Sequence, residues 1–349
     1  DTAPDNVILI GYRAGRLFTS GSGNVVVGDN AFYSAGARQN NTVMGTSAMY
    51  DATTASSNTV MGWLSLNNIT TGNHNTAIGV QTGNTLTTTS NTTLLGSQAG
   101  YALNDTGADG TVAVGYQTLH LATSGARNTA MGYRAGYSLT TGHSNTFIGY
   151  EAADAFNSGE SNMTAIGYNA MGSADNDSSS NCVAIGVGAL EGGTGVIANS
   201  IAIGNNALSS TNVRNIDASI AIGLAAMDST AGGAVTDCIA IGRDSMHHSS
   251  NQLNAVTGDI GIGAYSLQSL TTGDHNIAIG YQAGDAITTK SGIIAIGLGA
   301  AGGISTTGDY SIAIGYGAMG GAEVGDGNIA IGYQSMQNAN SAGLHRNIA

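Results

Sequence analysis

The chain of 349 residues is short of most things that define an ordinary globular domain. It has one proline, two cysteines, one tryptophan and four phenylalanines, and only 9% of its residues are charged. About a quarter is usual. No run of 18 apolar residues occurs, so no transmembrane helix and no membrane insertion are expected. The net charge of −13 argues against nucleic acid or anionic lipid as a partner, because like charges repel. There is no Ser-His-Asp signature, no zinc-ligand spacing and no phosphate loop, and Glu151, Glu160, Glu191 and Glu323 stand far apart. No enzyme activity, metal or cofactor is therefore expected.

Glycine is abundant, at 54 residues. It has no three-residue period, which excludes collagen. Apolar residues recur in register, which argues against disorder. An aliphatic residue is followed by glycine at Gly11, Gly28, Gly45, Gly62, Gly79, Gly96, Gly115, Gly132, Gly149, Gly167, Gly186, Gly204, Gly223, Gly242, Gly263, Gly280, Gly297, Gly315 and Gly332. A period of this length marks a repeat protein. The expected fold is all-β, a parallel β-solenoid of about 19 rungs of 17–21 residues. At a strand spacing of about 4.8 Å this would give a rod of roughly 90 Å.

Positions are counted from the repeat glycine. Position −1 is always bulky and apolar, and −3 is Thr, Val or Ile. Alternation along a strand puts these two on one face. That face is expected to be the core: Ile78, Ile166, Ile185, Ile203, Ile222, Ile241, Ile279, Ile314 and Ile331. Position −2 then faces the other way. It is Ala77, Ala113, Ala130, Ala165, Ala184, Ala202, Ala221, Ala240, Ala278, Ala295, Ala313 and Ala330, and otherwise apolar or glycine. A strand apolar on both faces needs a cover. A second copy of the chain packing on these alanines is the expected cover, hence a homo-oligomer.

Asn opens many strands at −4, for example Asn24, Asn41, Asn58 and Asn75, and stacked copies would form an amide ladder. Cys182 and Cys238 occupy the same position three rungs apart, about 14 Å by strand spacing, too far for an intrachain disulfide. Tyr often follows the glycine, where it would either pack between rungs or chains or stack on sugars. The longest insertion is the candidate surface contact loop: Arg243, Asp244, His247, His248, Asn251 and Asp259. Long loops on a rigid scaffold carry recognition. Near residue 170 position −3 changes from mostly Thr to Ile, and −2 from mixed to nearly all Ala. Two regions of one solenoid are expected, 1–170 with the Thr-rich strand and 171–349 with Ile-Ala-Ile-Gly. The start at Asp1 and the close on Asn347-Ile348-Ala349, partway into another repeat, read as a piece of a longer chain.

The strings Asn75-Thr76-Ala77-Ile78-Gly79, Asn276-Ile277-Ala278-Ile279-Gly280-Tyr281-Gln282-Ala283-Gly284 and Ser311-Ile312-Ala313-Ile314-Gly315-Tyr316 resemble two groups of repeats. One is the N-T-A-I-G-Y-x-A region of phage tail-fibre proteins. The other is the head repeat of trimeric autotransporter adhesins (YadA-like heads). The resemblance covers essentially the whole chain and implies a left-handed β-roll that trimerises about the fibre axis. The Tyr after glycine and the 17-residue period are more similar to the tail-fibre version. The expected function is that of a phage tail-fibre shaft in the virion, giving multivalent attachment to a host-surface glycan or protein. The alternatives are a bacterial surface adhesin or self-assembling extracellular filament, and an ice-binding solenoid, which the Thr rows from Thr42 to Thr164 suggest.

Overall fold

The structure is a computed structural model and describes residues 6–34, 36–104, 106–173, 179–192, 195–209, 215–228, 233–247, 253, 255–303, 308–321, 323–337, 340–341 and 346–349. Among these the chain is an all-β parallel β-solenoid, its one helical turn being Thr106–Ala108. It divides into two compact units, Asp1–Gly172 and Ser173–Ala349.

In the first unit the sheet runs through Ile8–Ile10, Val25–Val27, Thr42–Met44, Thr59–Met61, Thr76–Ile78, Thr93–Leu95, Val112–Val114, Thr129–Met131, Thr146–Ile148 and Thr164–Ile166, each parallel to the next. In the second it runs through Val183–Ile185, Ile201–Ile203, Ile220–Ile222, Ile239–Ile241, Ile260–Ile262, Ile277–Ile279, Ile294–Ile296, Ile312–Ile314 and Ile329–Ile331. Register follows the repeat: Thr76 faces Thr93, Ala77 faces Leu94 and Ile78 faces Leu95.

Glycine ends each strand for two reasons. Gly79 has φ +143°, and a Cβ there would lie 2.5 Å from the backbone of Gly96 on the next rung. Only glycine meets both demands at low cost. The four-residue turn that follows places positions +2 and +4 in the left-handed region, as at Leu64 and Leu66 or Asn206 and Leu208. Rung-to-rung hydrogen bonds continue through this turn. Gln81 N–H donates to the carbonyl of Trp63 at 2.8 Å, and Gly83 N–H donates to that of Ala99 at 3.0 Å. The backbone is thus paired well beyond the three-residue strands, as buried peptide groups require.

The burial corrects the expected faces. The residue turned into the coil is −2, not −1. Ala77, Ala113, Ala130, Ala165, Ala184, Ala202, Ala221, Ala240, Ala278, Ala295, Ala313 and Ala330 are all 0% exposed within the single chain. They pack inside their own coil and need no second copy to cover them. Ile78, Ile166, Ile185, Ile203, Ile222, Ile241, Ile279, Ile314 and Ile331 face outward instead and are half-buried or exposed. The reason is volume. A three-residue strand turns only its central side chain inward, and the +4 side chain of the opposite wall meets it in a narrow interior. Leu66, Leu119, Met171, Leu190, Leu208, Met227, Leu267 and Met319 fill that place. Where −2 is large, nearby +4 positions shrink. Gly83 and Gly100 lie against Leu94, and Gly136 lies against Phe147. Residues at +7, such as Leu86, Leu103 and Leu139, complete the filling. Burying each Leu or Phe contributes about 1.5–3 kcal/mol.

Candidate functional site

The functional surface of such a fold lies on whatever the coil turns outward. Three columns run along each unit there, at −3, −1 and +1. Among the described residues, every exposed large hydrophobic side chain except Leu9, Leu17, Leu121 and Tyr310 belongs to one of them. The first unit contributes Met44, Met61, Ile78 and Met131 at −1, beside Trp63, Val80, Tyr116, Tyr133, Tyr150 and Tyr168 at +1. The second contributes Ile185, Ile262, Ile279 and Ile331 at −1, beside Val187, Leu224, Tyr281, Leu298, Tyr316 and Tyr333. In-register stacking makes the −1 column an unbroken apolar row along each sheet, while +1 is interrupted at Asp29, Thr46, Ser97, Asn205 and Arg243 and −3 is mostly Thr in the first unit. An apolar row of this length is uncommon on solvated surface and makes −1, with its +1 neighbours, the candidate interaction surface.

The tyrosines use their ring faces on one another. Tyr116, Tyr133, Tyr150 and Tyr168 form a stack with centroid spacings of 5.6, 4.9 and 5.4 Å. Tyr316 stacks on Tyr333 at 5.3 Å. A sugar-stacking platform needs a free ring face. Tyr133 and Tyr150 have a stacked neighbour on each side, so packing between rungs is the role the geometry supports for the inner rings. Beside the longer stack, Arg134 approaches Glu151 at 4.0 Å and lies 4.1 Å over Tyr137. Burial, with the Glu151 charge second, pushes the Asp154 carboxyl up to about 6. His120 is sandwiched between Tyr101 and Tyr137 at 5.1 and 5.2 Å, and burial lowers its pKa.

The candidate contact loop is not one surface feature. Arg243 lies 4.8 Å over Tyr265 and 3.7 Å from Asp244, whose carboxylate also meets His247 at 3.3 Å. His248 and Asn251 lie outside the described residues. Leu253 and Val256 turn into the core. Asp259, expected at the surface, is 0% exposed. It occupies position −4, the place of the strand-opening Asn residues, so the insertion ends inside the coil.

Position −4 forms the ladder that its Asn content suggests. Asn41 Nδ2 donates to Asn24 Oδ1 at 3.1 Å, and Asn58 Nδ2 to Asn41 Oδ1 at 3.1 Å. The second unit continues the theme with hydroxyls: Ser219 N–H donates to Ser200 Oγ, and Cys238 N–H to Ser219 Oγ. Cys182 and Cys238 are buried free thiols, pushed up to about 11 and about 12 by desolvation. At those values neither offers a thiolate at neutral pH.

Sequence reading missed Arg38, which lies wholly inside the first unit. Its guanidinium donates to the carbonyls of Ala52 at 2.8 Å and Phe32 at 3.4 Å, and sits 3.9 Å over the Phe32 ring. Burial lowers its pKa to about 10, so it stays charged. It also missed the outward columns, although a partial signal was available: the largest −2 residues have glycine at +4 on the same or the preceding rung, Leu9 with Gly15, Leu94 with Gly83 and Gly100, and Phe147 with Gly136. Among the described residues no group of three His, Cys, Asp or Glu side chains is placed to hold a metal, and no helix is long and apolar enough to cross a membrane. No protein-family model, curated protein or solved structure matches the chain.

Proposed function

We propose that the chain is a structural and adhesive fibre segment, a tail-fibre shaft acting as a homo-oligomer, most simply a trimer. The observation that supports this reading is the set of outward columns. Each unit already satisfies its own interior, yet leaves rows of Ile, Met, Leu, Val and Tyr uncovered. A second and third copy of the same rows, about a symmetry axis, is the economical cover. The role is mechanical: hydrogen-bonded ladders give stiffness, and repeated loops on several copies turn weak contacts with a host-surface glycan or protein into avidity. The proposed place is the virion, with the cell surface as the counterpart if the same rod serves a bacterial adhesin or filament.

Sedimentation and native mass spectrometry test the assembly. A homo-oligomer is expected, and Ile222→Asp with Ile241→Asp should dissociate it while leaving the circular dichroism unchanged. A wild-type chain that stays monomeric at micromolar concentration would sink the proposal. Attachment is tested by asking whether purified protein blocks adsorption of the parent particle to its host.

One observation favours a second reading. Thr42, Thr59, Thr76, Thr93, Thr129, Thr146 and Thr164 at −3 all face outward, at the strand spacing of about 4.8 Å. Ice binding by this face predicts thermal hysteresis that Thr76→Lys and Thr93→Lys abolish. Absence of hysteresis in the wild type removes the idea. The taller Met and Tyr columns on the same face argue for the fibre reading.

A further inference from the structure

Asp259 breaks the pattern of the −4 ladder in a way that assigns it a protonation state. Its Oδ1 accepts two hydrogen bonds from Asn276, 2.8 Å from the backbone N–H and 3.0 Å from Nδ2. That is the pattern of Asn41 toward Asn58. The difference lies at the other atom. In Asn58 it is Nδ2, which donates to the carbonyl of Gly72, 14 residues on, at 3.1 Å. In Asn276 it donates to the carbonyl of Lys290, also 14 residues on, at 2.8 Å. In Asp259 it is Oδ2, which is buried and has no hydrogen-bond partner. By the repeat, the carbonyl in the equivalent place belongs to Gly273. Two acceptors facing each other away from water are costly unless one carries a proton.

We infer that Asp259 is held as a neutral carboxylic acid whose Oδ2–H replaces the amide N–H of asparagine, making this rung of the second unit a proton-dependent latch. The surroundings favour the neutral form. Burial pushes the carboxyl up to about 7, with the nearby Asp274 carboxylate adding to the rise and the Asn276 hydrogen bonds opposing it. On the preceding rung Cys238 stays a neutral thiol at these pH values. Asp237 and His275 occupy the column of Gly258 on the neighbouring rungs, and the His275 ring lies against Gly258. No cation among these groups is hydrogen-bonded to the Asp259 carboxylate.

The sign follows from linkage. The folded-state pKa lies above the unfolded value of about 3.9. Stability from this group is therefore complete below about pH 4 and declines as pH rises toward 7, about tenfold in the opening equilibrium per pH unit. Hydrogen exchange in peptides carrying the Asn276 and Ile239 amides, after correction for intrinsic rates, should show that opening increases from pH 5 to pH 8. Asp259→Asn and Asp259→Ser should flatten that dependence while retaining protection. Wild-type-minus-variant infrared difference spectra at pH 5.5 should retain a protonated carboxyl band for both variants, the contribution of the raised Asp154 carboxyl being common to all three proteins and cancelling. Wild-type protection independent of pH, or variants as pH-sensitive as the wild type, overturns the latch. Should neither variant fold, absence of the protonated band from the wild type overturns it.

Discussion

The two units solve one packing problem with different residues. In the first, the inward −2 position is Val26, Val43, Val60, Leu94 or Phe147 in half of its rungs, and the surrounding +4 and +7 positions adjust rung by rung. In the second it is Ala in every rung but that of Gly261, and the filling comes from Leu190, Leu208, Met227, Met246, Leu267 and Met319 on the opposite wall. The outward face changes independently, from Thr to Ile at −3. The corners differ as well. Turns of 17 residues in the first unit close with Thr hydroxyls bonded to the next rung, as Thr53 to Thr70 and Thr70 to Thr87, each at 3.0 Å. Where the second unit lengthens its turns to 18–21 residues, the added chain forms a small parallel sheet of Val196–Ala198, Asn215–Asp217, Val235–Thr236 and Val256–Thr257. The interior is therefore constrained as a summed volume across two walls, while the outward rows lie outside that constraint and vary from Thr to Ile.

The strand-ending glycine is common to both units, so its loss should erase the comparison. Gly79→Ala in the first unit and Gly223→Ala in the second should each cost about 3 kcal/mol or more, from φ strain plus a backbone clash. Similar losses in urea unfolding would confirm a shared constraint. A loss confined to one unit would mean the two turns are not equivalent.

Interior volume should separate the units. Leu94→Ala opens a cavity and should cost about 2–5 kcal/mol. Ala221→Leu overfills a space already occupied from the opposite wall and should cost about 1–3 kcal/mol. Denaturation midpoints measure both. A neutral Ala221→Leu would show that the second unit has spare room and that its walls are not volume-matched.

The ladder should give the smallest contrast. Asn58 both donates and accepts within its wall, and Asn58→Ala leaves buried partners unmet at about 1–3 kcal/mol. Ser219 makes fewer such bonds, so Ser219→Ala should cost about 1 kcal/mol. The two costs, compared by hydrogen exchange on adjacent rungs, should rank in that order.

Much of the local structure could be read from the chain directly. The period located each strand of the main sheet, and the recurring glycine marked its end; the short strands of the side sheets, such as Val196–Ala198, carry no such period. The Asn positions pointed to the ladder, since an amide offers both a donor and an acceptor to copies of itself on neighbouring rungs. Asp259 was misplaced because its neighbours in sequence form a long polar insertion, whereas its rung position puts it beside Cys238 and Asn276. Arg38 was passed over because a lone arginine in a polar segment carries no pattern. Only the surrounding carbonyls and the Phe32 ring show that its charge can be held inside.

By itself the sequence determined that this protein is a stack of short parallel strands in fixed register, because a repeat of one strand and one obligatory glycine can pair only with itself. It did not decide which face of those strands is the interior. A strand of three apolar residues alternates the same way whichever side is inward. The choice rests on the volume brought across the coil by residues four and seven positions beyond the glycine. Only the closed turn brings those residues opposite −2, and closing it turned the small Ala column in and left the large Ile and Tyr columns facing out.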